Sequence, residues 1–155
     1  MARAPVLDPN TLAEVTGSGY PESFRSRVAG RHRRRLGDAF GLKNFGVNLT
    51  RLDPGTESSM RHRHSTQDEF IYVLEGELTL VTDAGRQKLA PGMVAGFPGG
   101  SSDSHQLVNE SSRPALYLEI GDRSPGDEVD YADIDMIGRT LDGRWTYLHK
   151  DGKPW

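Results

Sequence analysis

Two histidines stand one residue apart in the run His62-Arg63-His64, a glutamate follows at Glu69, and a third histidine of the same glycine-punctuated region is His105. Side chains alternate between faces in an extended chain, so His62 and His64 share one face and Arg63 points to the other. Two imidazoles on one face can share a cation about 2 Å from each nitrogen. Glu69 opens the next extended run, where its carboxylate can join them, and a facing strand can bring His105 to the same ion. Neutral imidazole with carboxylate suits a divalent transition metal, Zn, Fe, Mn, Ni or Co, whereas Ca and Mg prefer oxygen throughout. The spacing alone equally fits a pair of surface polar side chains beside Arg61 and Arg63, because short motifs recur by chance.

The elements that must position these residues read as an all-β pattern. From Asn44 onward, short runs of Val, Ile, Leu, Phe and Tyr are separated by Gly, Pro and Asp turns. The expected strands are Phe45 to Leu52, Glu69 to Glu75, Glu77 to Thr82, Arg86 to Leu89, Met93 to Phe97, Ser104 to Val108 and Ala115 to Ile120. Asp53-Pro54-Gly55, Glu75-Gly76, Asp83-Ala84-Gly85, Pro91-Gly92 and Pro98-Gly99-Gly100 supply the fixed or positive φ angles of the turns between them. Many short strands at close spacing point to a barrel or sandwich, and no internal repeat suggests a second one. Residues 1–43, rich in Pro and Gly with a short helix expected around Thr11 to Val15, read as an N-terminal arm and lead-in strand. Residues 44–121 read as the barrel, and residues 122–155 as a tail packing on it.

Two stretches of this barrel region carry a family resemblance. Gly55, His62-Arg63-His64, Glu69 and Gly76 resemble the first cupin motif, with Gly55 one residue further from His62 than usual. Gly92 to Gly100, followed by His105 and Asn109, resembles the second motif; four residues, Ser101 to Ser104, precede His105 where most cupins have two, so the loop is two residues longer. Gly121 to Asp127, Tyr131 to Asp135 and the Trp145 to Trp155 tail resemble a subgroup of small bacterial cupins loosely called sugar-phosphate isomerase-like. The resemblance implies a double-stranded β-helix, or jelly-roll, barrel with one divalent metal ion in its wide mouth. It assigns His62, His64, Glu69 and His105 as the ligands. Four protein ligands leave one or two coordination positions for water, substrate or dioxygen, as in a catalytic site. Two added loop residues keep the period-two parity, so His105 still faces inward, and Asp103 and Ser104 are not expected to bind.

Other residues are candidates for the pocket. Tyr117 and Glu119 share one face of a strand whose other face, Leu116, Leu118 and Ile120, reads as core; they line the pocket if that face turns inward and meet solvent if it does not. Trp145, Tyr147 and His149 share a face of the tail, as a lid or as a docked terminal strand, the second being the more ordinary outcome. Met60 and Met93 read as packing residues.

The 155 residues carry 19 basic and 22 acidic side chains, a net charge of -3, too balanced to call for a polyanionic partner. Arg25, Arg27, Arg31, Arg33, Arg34 and Arg35 cluster, but no recognition helix or interleaved aromatics accompany them, and Gly30 and Gly37 interrupt any helix. Nucleic acid is therefore disfavoured, and the cluster reads as a solvated segment pairing with the acidic stretch from Asp122 to Asp135. Cys is absent, no secretory signal is visible and no apolar run approaches the ~20 residues of a membrane span, so the expected location is cytoplasmic.

Function divides into two classes. One is a metal-dependent enzyme acting on a small organic molecule such as a sugar, sugar phosphate or organic acid: an isomerase or lyase using the metal as Lewis acid, or a non-haem dioxygenase. The other is a non-catalytic small-molecule binding or sensing module. A phosphosugar would need a cation in the pocket, and Arg51, Arg61 and Arg63 are the nearby candidates. Phe70, Tyr72 and Leu74 make the second face of the Glu69 to Leu74 strand apolar, which predicts a cover, most simply a second copy in a homodimer.

Overall fold

The structure, a computed structural model, describes residues 5–155. After a short helix α1 (Glu22–Arg25) come β1 (Arg31–Arg35) and α2 (Leu36–Phe40), then β2 (Phe45–Leu52), β3 (His62–His64), β4 (Glu69–Glu75), β5 (Leu78–Thr82) and β6 (Gly85–Leu89). The chain continues through β7 (Val94–Phe97), β8 (Gln106–Val108), β9 (Ala115–Asp122), β10 (Glu128–Tyr131), β11 (Met136–Leu141) and β12 (Arg144–Leu148). One wall is a five-stranded antiparallel sheet in the order β1-β2-β9-β4-β7. Opposite it stand two smaller sheets, β12-β11-β10-β3 and β6-β5-β8, joined where His62 bridges His105 and Glu57 bridges Val108. This is the two-walled jelly roll that the turn spacing and alternation lead one to expect.

The core follows from alternation. Leu52, Ile71, Val73, Leu78, Leu107, Ala115 and Tyr117 form one buried cluster between the walls. Tyr20, Val28, Met60, Val129, Tyr131 and Met136 form another beneath the tail. The metal-motif glycine Gly76 takes φ +75°, and a Cβ there would meet the Pro114 carbonyl oxygen at 2.6 Å, so conformation and space both demand glycine. Asn109 is fully buried; its amide donates to the carbonyl oxygens of Leu52 at 2.8 Å and Arg113 at 2.7 Å, tying the strand after His105 to the facing wall.

Several expectations need correction. The arginine cluster is no solvated lead-in: Arg31 to Arg35 form β1 and pair with Leu52 to Asn48 of β2. Its ion pairs are not with the acidic stretch either, but with Glu57 (Arg27), Glu14 (Arg34) and Glu119 (Arg33). The acidic stretch instead engages Arg61 through Asp133, Arg63 through Asp130 and His64 through Asp127. Gly37 lies inside α2 because a Cβ would stand 3.0 Å from the Val47 amide nitrogen. On β9 the core face is Ala115 and Tyr117, while Leu116, Leu118 and Ile120 are only half-buried on the other face. Bulk misled here: the larger aliphatics lie on the outer side, beside Phe70 and Tyr72 of β4, each 39% exposed. The expected helix at Thr11 to Val15 is a single 3₁₀ turn, Pro9–Thr11, after which Val15 bridges Arg33.

Candidate metal centre

Register brings the chemistry-bearing residues together. On the five-stranded wall Glu69 of β4 lies opposite Phe97 of β7 and Gly121 of β9, facing inward with Ile71 and Val73. From the opposite wall, β3 turns His62 and His64 toward the same space, and the bridge between His62 and His105 brings in the third histidine. Glu69 Oε2 is then 2.7 Å from His105 Nε2, 3.2 Å from His64 Nε2 and 3.4 Å from His62 Nε2. Ligand atoms of His62, Glu69 and His105 lie within 4.8 Å of one another; His64 joins this tight group through Glu69. Asp103 caps the Asp83 amide, and Ser104 is buried without joining the cluster.

The far side of each ring decides what the near side offers. His62 Nδ1 is 2.9 Å from the Met60 carbonyl oxygen, which can only accept, so this nitrogen carries the proton. His64 Nδ1 is 2.6 Å from Asp127 Oδ2 and donates to it in the same way. With Nδ1 turned to these acceptors, His62 and His64 both aim Nε2 at the same Glu69 carboxylate oxygen, a junction that a proton or a cation can bridge. Phe97 stacks on His105 with ring centroids 3.6 Å apart and planes 2° from parallel, fixing the third imidazole. Nitrogen and carboxylate donors backed by a carbonyl and a second carboxylate fit a divalent transition metal.

Charge agrees with this geometry. Burial alone would raise the Glu69 pKa, but hydrogen bonds from His105, His62 and His64 hold it well below the usual carboxylate range. At His64 burial opposes the charged form, yet Glu69 and then Asp127 outweigh it and push the pKa up to about 9. At His105 burial prevails over Glu69 and lowers the pKa.

In the sequence Asp127 stood out only as part of an acidic stretch and as the end of the Gly121 to Asp127 run that carries the subgroup resemblance, with no role at the site. It is 8% exposed and accepts from His64, the Thr66 and Gln67 amides, and the Ser65 and Thr66 hydroxyls. The one available signal was its place just before the extended run that becomes β10, which pairs with β3.

A cavity of about 260 Å³ opens above the cluster. Tyr117 and Glu119 both line it: Glu119 Oε1 accepts from the Asn48 amide at 3.0 Å, and the Tyr117 hydroxyl donates to Oε2 at 3.3 Å. Trp145 and Tyr147 of β12 add to its wall, so the docked terminal strand is also a pocket wall. His149 has turned away to Asp135, 2.9 Å distant, and stacks on Trp155. None of the expected pocket cations is there. Arg61 pairs with Asp133 and Asp83, Arg63 with Asp130, and Arg51 with Glu14 and Asp53, while Arg31 and Arg33 line the cavity instead.

Comparison with known proteins places this arrangement. The chain is similar to a crystal structure described as a sugar phosphate isomerase of the cupin superfamily from Silicibacter pomeroyi, with 44% identity over 97% of this chain and 96% of that one and a TM-score of 0.94. It is also similar to a provisionally named sugar phosphate isomerase from Acidithiobacillus ferrooxidans, at 33% identity over 78% of this chain and 77% of that one, TM-score 0.72. The polyketide cyclase RemF from Streptomyces resistomycificus shares the fold at 20% identity, covering 85% of this chain and 87% of its own, TM-score 0.69. No curated protein matches by sequence. The Cupin domain family matches residues 48–121, the stretch that supplies all four clustered side chains and Glu119. With that match and a relative so similar over nearly its whole length, the chain belongs to the cupin superfamily.

Proposed function

We propose that this cupin is a metal-dependent enzyme in which His62, His64, Glu69 and His105 hold one divalent transition metal and the cavity above takes a small organic molecule. The reading rests on one observation: three imidazole Nε2 atoms converge on a single carboxylate oxygen at the floor of a cavity. A bound cation would supply Lewis-acid polarisation of a substrate oxygen. Glu119 is the proton carrier. It sits on β9 diagonally across from Glu69 of β4, a spacing of about 7–8 Å that leaves room for a reacting group between them. Tyr117 and Asn48 hold its carboxylate in place. An acid–base group in the cavity favours catalysis over mere binding, and a redox-neutral isomerisation is the reaction class that needs nothing more than a polarised oxygen and a proton carrier. The names of the Silicibacter and Acidithiobacillus relatives support the same class.

Elemental analysis of the protein purified without added metal is expected to find about one transition-metal ion per chain, removable by a chelator and restored from solution. Failure to retain any of Zn, Fe, Mn, Ni or Co after dialysis overturns the assignment.

We also propose a homodimer formed through the outer face of the five-stranded wall, where Phe70, Tyr72 and Val94, the last 50% exposed, lie beside Leu49, Leu116 and Leu118. Light scattering is expected to give twice the 17.1 kDa chain mass, and Tyr72→Glu to return the protein to one chain. A wild-type mass of one chain at micromolar concentration refutes the dimer.

A further inference from the structure

Arg31 is 8% exposed, yet its Nε has no hydrogen-bond partner and, among the described residues, no carboxylate pairs with it; its Nη1 donates to the Ser58 carbonyl oxygen. A buried guanidinium without a counter-charge is costly, and such groups are retained where something else supplies the charge. Two residues on, and on the same face of β1, Arg33 also lines the cavity. Its nearest carboxylate oxygen is Glu119 Oε1 at 3.9 Å, and that oxygen already accepts from Asn48. Burial, and then the charge of Arg31, lower the Arg33 pKa, with Glu119 opposing; an arginine remains charged nonetheless. Arg34, on the opposite face of the same strand, by contrast has a carboxylate partner in Glu14 at 3.2 Å, shared with Arg51. Of the three carboxylates that line the cavity, Glu69 and Asp127 are engaged with the histidines and only Glu119 approaches this arginine pair, which is flanked by the phenols of Tyr20, Tyr131 and Tyr147.

We propose that Arg31 and Arg33 form an oxyanion subsite, so that the molecule bound in the cavity carries a carboxylate or phosphate group held by this pair while its other end faces the histidine cluster. The proposal rests on the cavity being the small-molecule site, but not on the metal. A planar guanidinium fork matches either oxyanion through paired N–H donors, and partial exclusion of water from the cavity strengthens both pairings.

The test is titration of chelator-treated, metal-free protein with inorganic phosphate in one arm and acetate in the other, followed by NMR. Saturable binding of at least one anion is expected, and the tighter of the two names the group. Arg33 is the less buried of the pair, so Arg33→Met is the variant of choice; its fold is checked by circular dichroism, and it should weaken binding at least about 10-fold. Glu119→Gln, which removes the competing negative charge, should tighten it. Absence of saturable binding, or binding unchanged in Arg33→Met, overturns the subsite. Loss of the metal reading would look different: no metal retained, with Arg33-dependent anion binding intact.

Discussion

Replacing His105 with Ala is expected to lower metal affinity by at least the roughly 10- to 100-fold that loss of an outer hydrogen-bond partner costs, while the fold survives. Its Nε2 makes the shortest contact to Glu69 in the cluster, 2.7 Å, and among the described residues no further His, Cys, Asp or Glu beyond His64 joins the group His62, Glu69 and His105 to substitute for it. The loss of stability should be small, about 1 kcal/mol, because what disappears is one ring stacked on Phe97 while the strand stays tied by Asn109. Metal titration of His105→Ala beside Asp103→Ala checks this. Retained metal in the first with loss in the second would mean that the longer loop has moved the fourth ligand.

Asp127→Ala should damage both site and fold. It removes the acceptor that fixes the His64 ring, which is expected to weaken metal binding about 10- to 100-fold. It also strips the Thr66 and Gln67 amides of their acceptor, at 3.0 and 3.2 Å, in a place where Asp127 itself is buried. Unsatisfied groups of this kind cost about 2 to 4 kcal/mol together, a fall in Tm of roughly 5 to 15 °C for a chain of this size. Asp127→Asn separates the two effects: a neutral carbonyl still accepts from the amides, so the fold should largely recover while the metal affinity does not. Calorimetry with metal titration on both variants is the measurement, and wild-type affinity in Asp127→Ala would show that His64 needs no such support.

These residues differ in how far they could be read from the chain alone. His62 and His64 were legible because strand parity is local, and Gly76 and Gly92 because a tight turn, here one that carries the chain between the two walls and not a hairpin, demands φ values that few residues other than glycine adopt. Asp127 was not, because its role arises only when β10 lies against β3, a pairing that local pattern does not encode. Arg31 and Arg33 were hidden by their neighbours: a run of arginines reads as solvent-facing unless a strand is recognised there, and only then does alternation split it into a cavity face and an outer face. Leu116, Leu118 and Ile120 misled for a related reason. One strand with apolar residues on both faces does not reveal which face is interior, so Tyr117 and Glu119 read equally as pocket or solvent side until the sheet places them on the cavity.

The pairing of β3 with β10 also has a temporal meaning. His64 and the Asp127 that orients it are separated by 63 residues, whereas β1 and β2 meet across the helical connection that holds α2. During synthesis the five-stranded wall can begin to form while the partner that aims the histidines has not yet left the ribosome. Contacts at such separation carry a large loop-closure entropy and form late in folding. In a nascent chain the imidazoles are therefore not yet aimed at one point, and their convergence on Glu69 is completed with the docking of the tail strands.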